Sequence, residues 1–247
     1  MLVLCYHNGA LGHTVSALIE CCTKEGGREL PSFVKNQNLH HFEPTHSLHI
    51  VDHPLCDILT RRDQGYTVLS SSSRSLQGRL LIITMGLAKW FGRMPEYNQP
   101  SLYKQGTGSY GEQLEILAVT LKDKIVSDQD WFLDADIVLD IMSFWTNSKD
   151  IVESLYQMGL TPDEQKVETF CHQVMVTNQI YFDTVEKTFE VVEQVINNES
   201  VDIELSFLQE AMTCALLMIK NNALHDQTKI LLSKPTSTKH FRQIFKE

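Results

Sequence analysis

Residues 2–18, LVLCYHNGALGHTVSAL, run an uncharged apolar segment into a glycine-bearing loop and then into a helix-like stretch. Five apolar residues from Leu2 to Tyr6, ended at once by turn formers, predict a buried strand. The stretch from Thr14 to about Thr23 predicts a helix, stopped by Gly26-Gly27. Leu48–Val51 (LHIV) and Tyr66–Leu69 (YTVL) predict two more short strands, and Leu80–Trp90 a strongly apolar helix. Strand, helix, strand, strand, helix is the order of an α/β unit with a small, mostly parallel sheet.

From residue 111 onward the pattern is read as helical throughout. The expected organisation is therefore a P-loop-like α/β core over 1–110 and a helical part over 111–247 packed on it. Gly92–Gly111, rich in Gly, Pro and Tyr, predicts a long loop. Ser109 and Glu112 stand at capping-box spacing before a helix running to about Ile125. Trp131–Trp145 is apolar nearly all round and predicts a central helix. Ser148 is read as the cap of a short helix ending at Gly159, a candidate left-handed residue. Thr161-Pro162-Asp163-Glu164 reads as cap, first-turn proline and acid at N3. The helix behind it places Val167, Phe170, Val174, Tyr181, Val185, Val192 and Val195 on one face, to about Asn197. Ile203–Ile219 predicts a final buried helix, and the tail from Ser233 is polar.

The 247 residues are 43% hydrophobic and 21% charged, enough to bury a core without metals or disulfides. Disordered, collagen-like and disulfide-scaffold classes are excluded on that composition. The six cysteines form no CxxC pair, so no zinc ribbon or thioredoxin-type motif is present. Most sit in apolar runs and read as small buried hydrophobes. The opening run is too short for a signal peptide. No uncharged apolar stretch reaches about 18 residues, so no transmembrane helix is expected. The expectation is a cytoplasmic protein with reduced thiols and no membrane contact.

Net charge is −10, which argues against nucleic acid as a partner, since that needs clustered Lys and Arg. The charge is uneven. Residues 1–110 hold 10 Lys/Arg against 8 Asp/Glu, whereas residues 111–247 hold 11 against 23. Seven of the ten His fall in the first 53 residues. An anionic ligand is therefore better placed in the first part, and the acidic helices read as a solvated surface.

The loop His7-Asn8-Gly9-Ala10-Leu11-Gly12-His13-Thr14 has a physical reason to bind an anion. Glycines let successive N–H groups turn inward, and the helix start adds N–H donors and the positive end of its dipole. Thr14 offers a hydroxyl and His13 a ring N–H. A second segment, Thr67–Arg74, leads a strand into four serines and an arginine, with Arg79 opening the next helix. Hydroxyls plus Arg at a strand end suit a phosphate. His46, His49 and His53 (H-x2-H-x3-H) invite a metal reading, but on a strand His46 and His49 point to opposite faces. No metal is expected.

The first loop resembles a P-loop in its placement, with His7 where the first Gly of G-x-x-x-x-G-K-[ST] would stand and His13 in place of the Lys. Together the two segments resemble divergent P-loop sulfotransferases. The resemblance implies transfer of a sulfuryl group from 3′-phosphoadenosine 5′-phosphosulfate to a hydroxyl or amine of an unknown acceptor. Asn8, Gly9, Gly12, His13 and Thr14 would hold the 5′-phosphate. Ser72 or Ser73 with Arg74, or Arg79 in its stead, would hold the 3′-phosphate. The spacing departs from the family's, because Leu81 and Ile82 stand where its helical Ser would be. His46, His49 and His53, which flank a strand-like run, are candidate bases, and Glu43 and Asp52 are candidates by type. The turn Gly9–Thr14 also resembles the G-x-x-G-H opening of two-Rossmann-domain glycosyltransferases, which implies a nucleotide-sugar-binding half. The third reading is a non-catalytic interaction protein with a degenerate loop, its helical part open to self-association.

Overall fold

A computed structural model of the chain describes residues 2–6, 9–29, 48–51, 67–91, 110–126, 135–197, 199 and 205–220. In order they form β1 (Leu2–Tyr6), α1 (Gly12–Cys22), β2 (Leu48–Val51), β3 (Thr67–Ser72), α2 (Leu76–Phe91) and α3 (Tyr110–Val126). β4 (Ile137–Asp140), α4 (Ser143–Thr146), α5 (Ser148–Gln157), α6 (Glu164–Ile196) and α7 (Phe207–Lys220) follow. The fold is α/β, a small parallel sheet near the N-terminus with a mostly helical remainder. By its internal packing the chain falls into two units. One comprises Met1–Leu87 and Asp128–Gln179, the other Ala88–Ser127 and Ile180–Glu247.

The first unit holds the sheet, in the order β2-β1-β3-β4, with every pairing parallel. Val3, Leu4, Cys5, Val68, Leu69 and Leu139 are buried, which is why the sheet's central segments are apolar on successive residues. Val3, Cys5 and Val68 form one cluster, with Ala135 packed against it. α1 packs on β1 and β2, and α5 packs on β4.

β4 lies inside the stretch Trp131–Trp145 that the sequence assigns to a helix. Of that stretch, 135–145 are described, and they form a strand and a short helix instead. The reason is the pairing with β3. Asp136 donates its N–H to the Val68 carbonyl at 2.9 Å, and its carboxylate accepts the Val68 N–H at 2.8 Å. At the other end the Ile141 N–H reaches the Ser72 carbonyl at 2.9 Å. Ile137-Val138-Leu139 is a short apolar run with two β-branched residues, which fits a pleated position between such anchors.

α5 is capped by Asn147 rather than Ser148, with its side chain accepting from the Lys149 N–H at 3.2 Å. Its other end is the expected one. Gly159 has φ +76, and the Leu160 and Gly159 N–H groups close on the Leu155 and Tyr156 carbonyls at 3.1 and 2.9 Å. This is the left-handed helix stop that glycine allows without a Cβ penalty.

α6 starts at Glu164, and its cap is Asp163, whose carboxylate accepts from the Lys166 N–H at 3.2 Å. Thr161, the expected cap, is engaged elsewhere. Its N–H and hydroxyl both donate to the Glu25 carboxylate, at 2.9 and 2.8 Å. The Lys24 N–H meets the Thr161 carbonyl at 3.0 Å, and the Asp163 N–H meets the Cys22 carbonyl at 2.8 Å. Pairing with the end of α1 thus holds 161–163 extended, and the helix begins after it.

The Thr161 N–H and then its hydroxyl hold the Glu25 carboxyl below its ordinary range. A lowered native pKa makes this contribution complete above the unfolded value and lost as pH falls through the native one. Wild type and Glu25→Gln are therefore expected to differ in urea midpoint by a constant amount from pH 7 to about 5, and to converge in more acid solution. A gap that widens on acidification would refute the clamp.

Five cysteines, Cys5, Cys21, Cys22, Cys171 and Cys214, are buried thiols outside any disulfide among the described residues. Burial pushes the thiols of Cys22 and Cys171 up to about 12 and that of Cys21 to about 11. These are packing residues and not nucleophiles, since the thiolate is the reactive form.

In the second unit, α3 packs on α7. Leu114, Leu117, Ala118, Leu121 and Ile125 form the buried face of α3. α7 is buried from Phe207 to Met218. A reciprocal cap opens it. The Gln209 N–H donates to the Ser206 hydroxyl at 3.3 Å, and the Ser206 N–H donates to the Gln209 side chain at 3.0 Å.

Candidate functional site

In the order β2-β1-β3-β4 the chain leaves β1 in one direction and returns on its other side as β3. Open parallel sheets bind ligands outside the carboxyl ends of their strands at such a switch point. The glycine turn after β1 and the serine run ending β3 lie at that place. Tyr6 is in register with Ser71, and Ser72 with Asp140.

The turn from Gly9 to Gly12 is held on three sides. Gly9 has φ +92, and a Cβ there would overlap the Ile82 carbonyl and the Gly86 backbone of α2. The Ser71 hydroxyl donates to the Ala10 carbonyl. Gly12 lies against the ring of Tyr6, where a Cβ would overlap the aromatic carbons. Leu11 between them sits at φ 56, the one non-glycine residue with positive φ among the described residues. That conformation costs an L-residue roughly 1–2 kcal/mol. Leu11 is also the N-cap of α1, and its side chain offers no cap hydrogen bond. A helix N-terminus at the switch point directs backbone N–H groups and the helix dipole to the crevice.

His13 follows in the first turn of α1. Its Nε2 lies 3.3 Å from the Tyr6 hydroxyl, and the two rings meet edge-on, 5.7 Å between centroids. Thr14 is buried at the same helix start. Tyr6 closes β1, and sequence reading singled it out only as a strand end. Asp140 was missed too, because its segment was read as helical. It ends β4 beside Ser72, and its carboxylate accepts the Met142 N–H at 3.0 Å.

The serine run serves the scaffold more than the sequence implied. Ser71 pins the turn. Ser73 is fully buried, and its hydroxyl lies 3.1 Å from that of Ser75. Ser75 caps α2 by accepting the Gly78 N–H at 2.9 Å. A Cβ on Gly78 would overlap the Ser73 side chain. Ser72 is buried at the strand end, Arg74 is exposed just beyond it, and Arg79 is half-buried in the first turn of α2. The structure thus brings Gly9, Gly12, His13, Thr14, Ser72, Ser73 and Arg74 to one end of the sheet. Asn8, Glu43, His46, Asp52 and His53 lie outside the described residues.

Among the described residues no group of three or more His, Cys, Asp or Glu is placed to hold a metal ion. Among them, too, no helix is long and apolar enough to cross a membrane. A scan against protein-family models and searches of curated proteins and of solved structures found no match to this chain.

Proposed function

We propose that the chain binds a phosphorylated nucleotide at the carboxyl end of β1 and β3 and is a sulfotransferase-like enzyme. The observation that carries this reading is the start of α1, behind a glycine turn pinned by Ser71 and α2, at the switch point of a parallel sheet. The donor's 5′-phosphate would rest on the turn Gly9–Gly12 and the first residues of α1, beside His13. Its 3′-phosphate would lie toward Arg74, whose exposure suits a ligand in solvent contact. An acceptor oxygen or nitrogen would attack sulfur in line, the bond from sulfur to the bridging phosphate oxygen would break, and the acceptor proton would pass to a base. No metal enters that chemistry.

Thermal-shift titration tests the reading with 3′-phosphoadenosine 5′-phosphate, adenosine 5′-phosphosulfate, ATP with Mg²⁺, and UDP. A ligand specific to the folded state stabilises it by about 2.7 kcal/mol at 100 times Kd. The expected result is stabilisation by 3′-phosphoadenosine 5′-phosphate and none by UDP. A response to UDP alone would favour the nucleotide-sugar reading, and silence throughout would favour a non-catalytic binding protein.

Arg74→Ala separates the two phosphates. It is expected to weaken a 3′-phosphorylated nucleotide about tenfold or more, against little change for its 3′-hydroxyl analogue, since a charge-assisted bond is worth about 1.5–3 kcal/mol. Isothermal titration with both ligands reads the difference. Equal weakening would remove Arg74 from the 3′-phosphate.

A further inference from the structure

Nine threonines in or at the end of a described helix, from Thr23 to Thr213, turn their hydroxyl to the carbonyl four residues back, at 2.6–3.0 Å. This is the ordinary way for a hydroxyl on a helix to find an acceptor. Thr14 is the exception. It lies in the first turn of α1 and is 5% exposed, and its hydroxyl has no hydrogen-bond partner among the described residues. Ser16, the other unbonded hydroxyl of α1, is sealed from solvent about 200° round the helix, where no ligand reaches it. Thr14 stands instead at the helix start, at the end of the sheet that carries Gly9, Gly12 and His13.

The residue four back explains the exception. It is Ala10, one place ahead of the N-cap Leu11. Leu11 has φ 56, so the chain bends there, and the helical line of carbonyls begins with Leu11 itself, which accepts the Val15 N–H at 2.8 Å. The Ala10 carbonyl receives the Ser71 hydroxyl from β3. Ala10 and Ser71 are both fully buried, so this bond fixes where the carbonyl points.

We propose that Ser71 is a positioning residue for the phosphate site. By holding the Ala10 carbonyl to β3 it withholds from Thr14 the usual acceptor, and the Thr14 hydroxyl stays ready to donate to a phosphate oxygen. The proposal rests on the nucleotide reading above. A phosphate oxygen is the acceptor that suits, because the backbone N–H groups of the helix start and the His13 ring beside it favour an anion.

Thr14→Val, Ser71→Ala and the double variant separate this role from mere support of the turn. Isothermal titration uses 3′-phosphoadenosine 5′-phosphate, with adenosine 3′-phosphate as the ligand that lacks the group held by the turn. Each single variant is expected to weaken the first about tenfold and to leave the second unchanged. The double variant is expected to weaken the first no more than either single one, because Ser71 acts through Thr14. Losses that multiply in the double variant, or a Ser71→Ala protein that binds as wild type does, overturn the proposal. Urea unfolding of the same four proteins reads the coupling with no ligand present, and circular dichroism checks their folds. Ser71→Ala is expected to lower the midpoint less with Thr14 in place than in the Thr14→Val background, because the Thr14 hydroxyl then turns to the vacated Ala10 carbonyl. Equal drops in both backgrounds overturn the proposal whatever binds. Unequal drops with no nucleotide bound overturn the nucleotide reading, and the phosphate role of Thr14 with it.

Discussion

Gly9→Ala is expected to lower thermal stability more than any other single methyl added to a described glycine of positive φ. Two effects combine at this residue. Its φ of +92 is unfavourable for an L side chain, and the new Cβ would enter the α2 backbone at Ile82 and Gly86. Backbone cannot swing aside as a side chain tip can. The turn or the helix must move, at about 1–3 kcal/mol for the overpacking and roughly 1–2 for the dihedral. A loss of about 3 kcal/mol or more corresponds to about 6–12 °C for a chain of this size. Gly159→Ala is the matched control. Gly159 has φ +76 with nothing within 4 Å of its Cβ position, so only the dihedral cost remains. Differential scanning calorimetry on the two variants isolates the close approach. Equal losses would show that α2 does not press on the turn.

Gly12→Ala is the second large effect, and it bears on how the site is built. A glycine in an anion loop is ordinarily read as room for the ligand. Here the space above Gly12 is filled by the Tyr6 ring. The added methyl is therefore expected to cost about 1–3 kcal/mol of folding free energy before any ligand is present. In a double-mutant cycle Tyr6→Leu should relieve part of that cost, with a coupling of roughly 1 kcal/mol or more. Urea unfolding of the four proteins measures it. A bulkier residue, as in Gly12→Val, would probe phosphate approach only if it left the fold intact. The Tyr6 contact removes that separation, and Arg74→Ala is the cleaner probe. If Gly12→Ala kept full stability and lost nucleotide binding, the glycine would serve the ligand after all.

The strands β1, β2 and β3 were legible because each is a short apolar run bounded by polar or turn-forming residues, a signal that needs no partner. The long amphipathic helix α6 was legible because its period repeats over many turns. β4 was not. Ile137-Val138-Leu139 inside a longer apolar stretch satisfies helix and strand patterns equally, and the choice falls to the open edge of β3 and the Asp136 bonds to Val68. The cap of α6 fails for a related reason. Thr161 suits a cap locally, and Glu25, 136 residues earlier in the chain, takes both its donors. Of the candidate site, the turn and the strand-end serines could be named from sequence by residue type. Asp140 could not, because its place at the sheet end exists only once β4 pairs. Its one signal was an acidic residue closing a β-branched run.

By itself the sequence determined the α/β class, the buried strand that opens the chain, and the glycine turn between that strand and α1. Each follows from local pattern, where spacing and backbone chemistry act over a few residues. Tertiary structure alone decided which strand lies beside which, and so where the switch point falls. It also decided that Gly9 and Gly12 serve α2 and Tyr6, and that Ser71 and Ser73 are spent on the scaffold. Those outcomes depend on contacts between residues far apart in the chain, whose energies no local window contains.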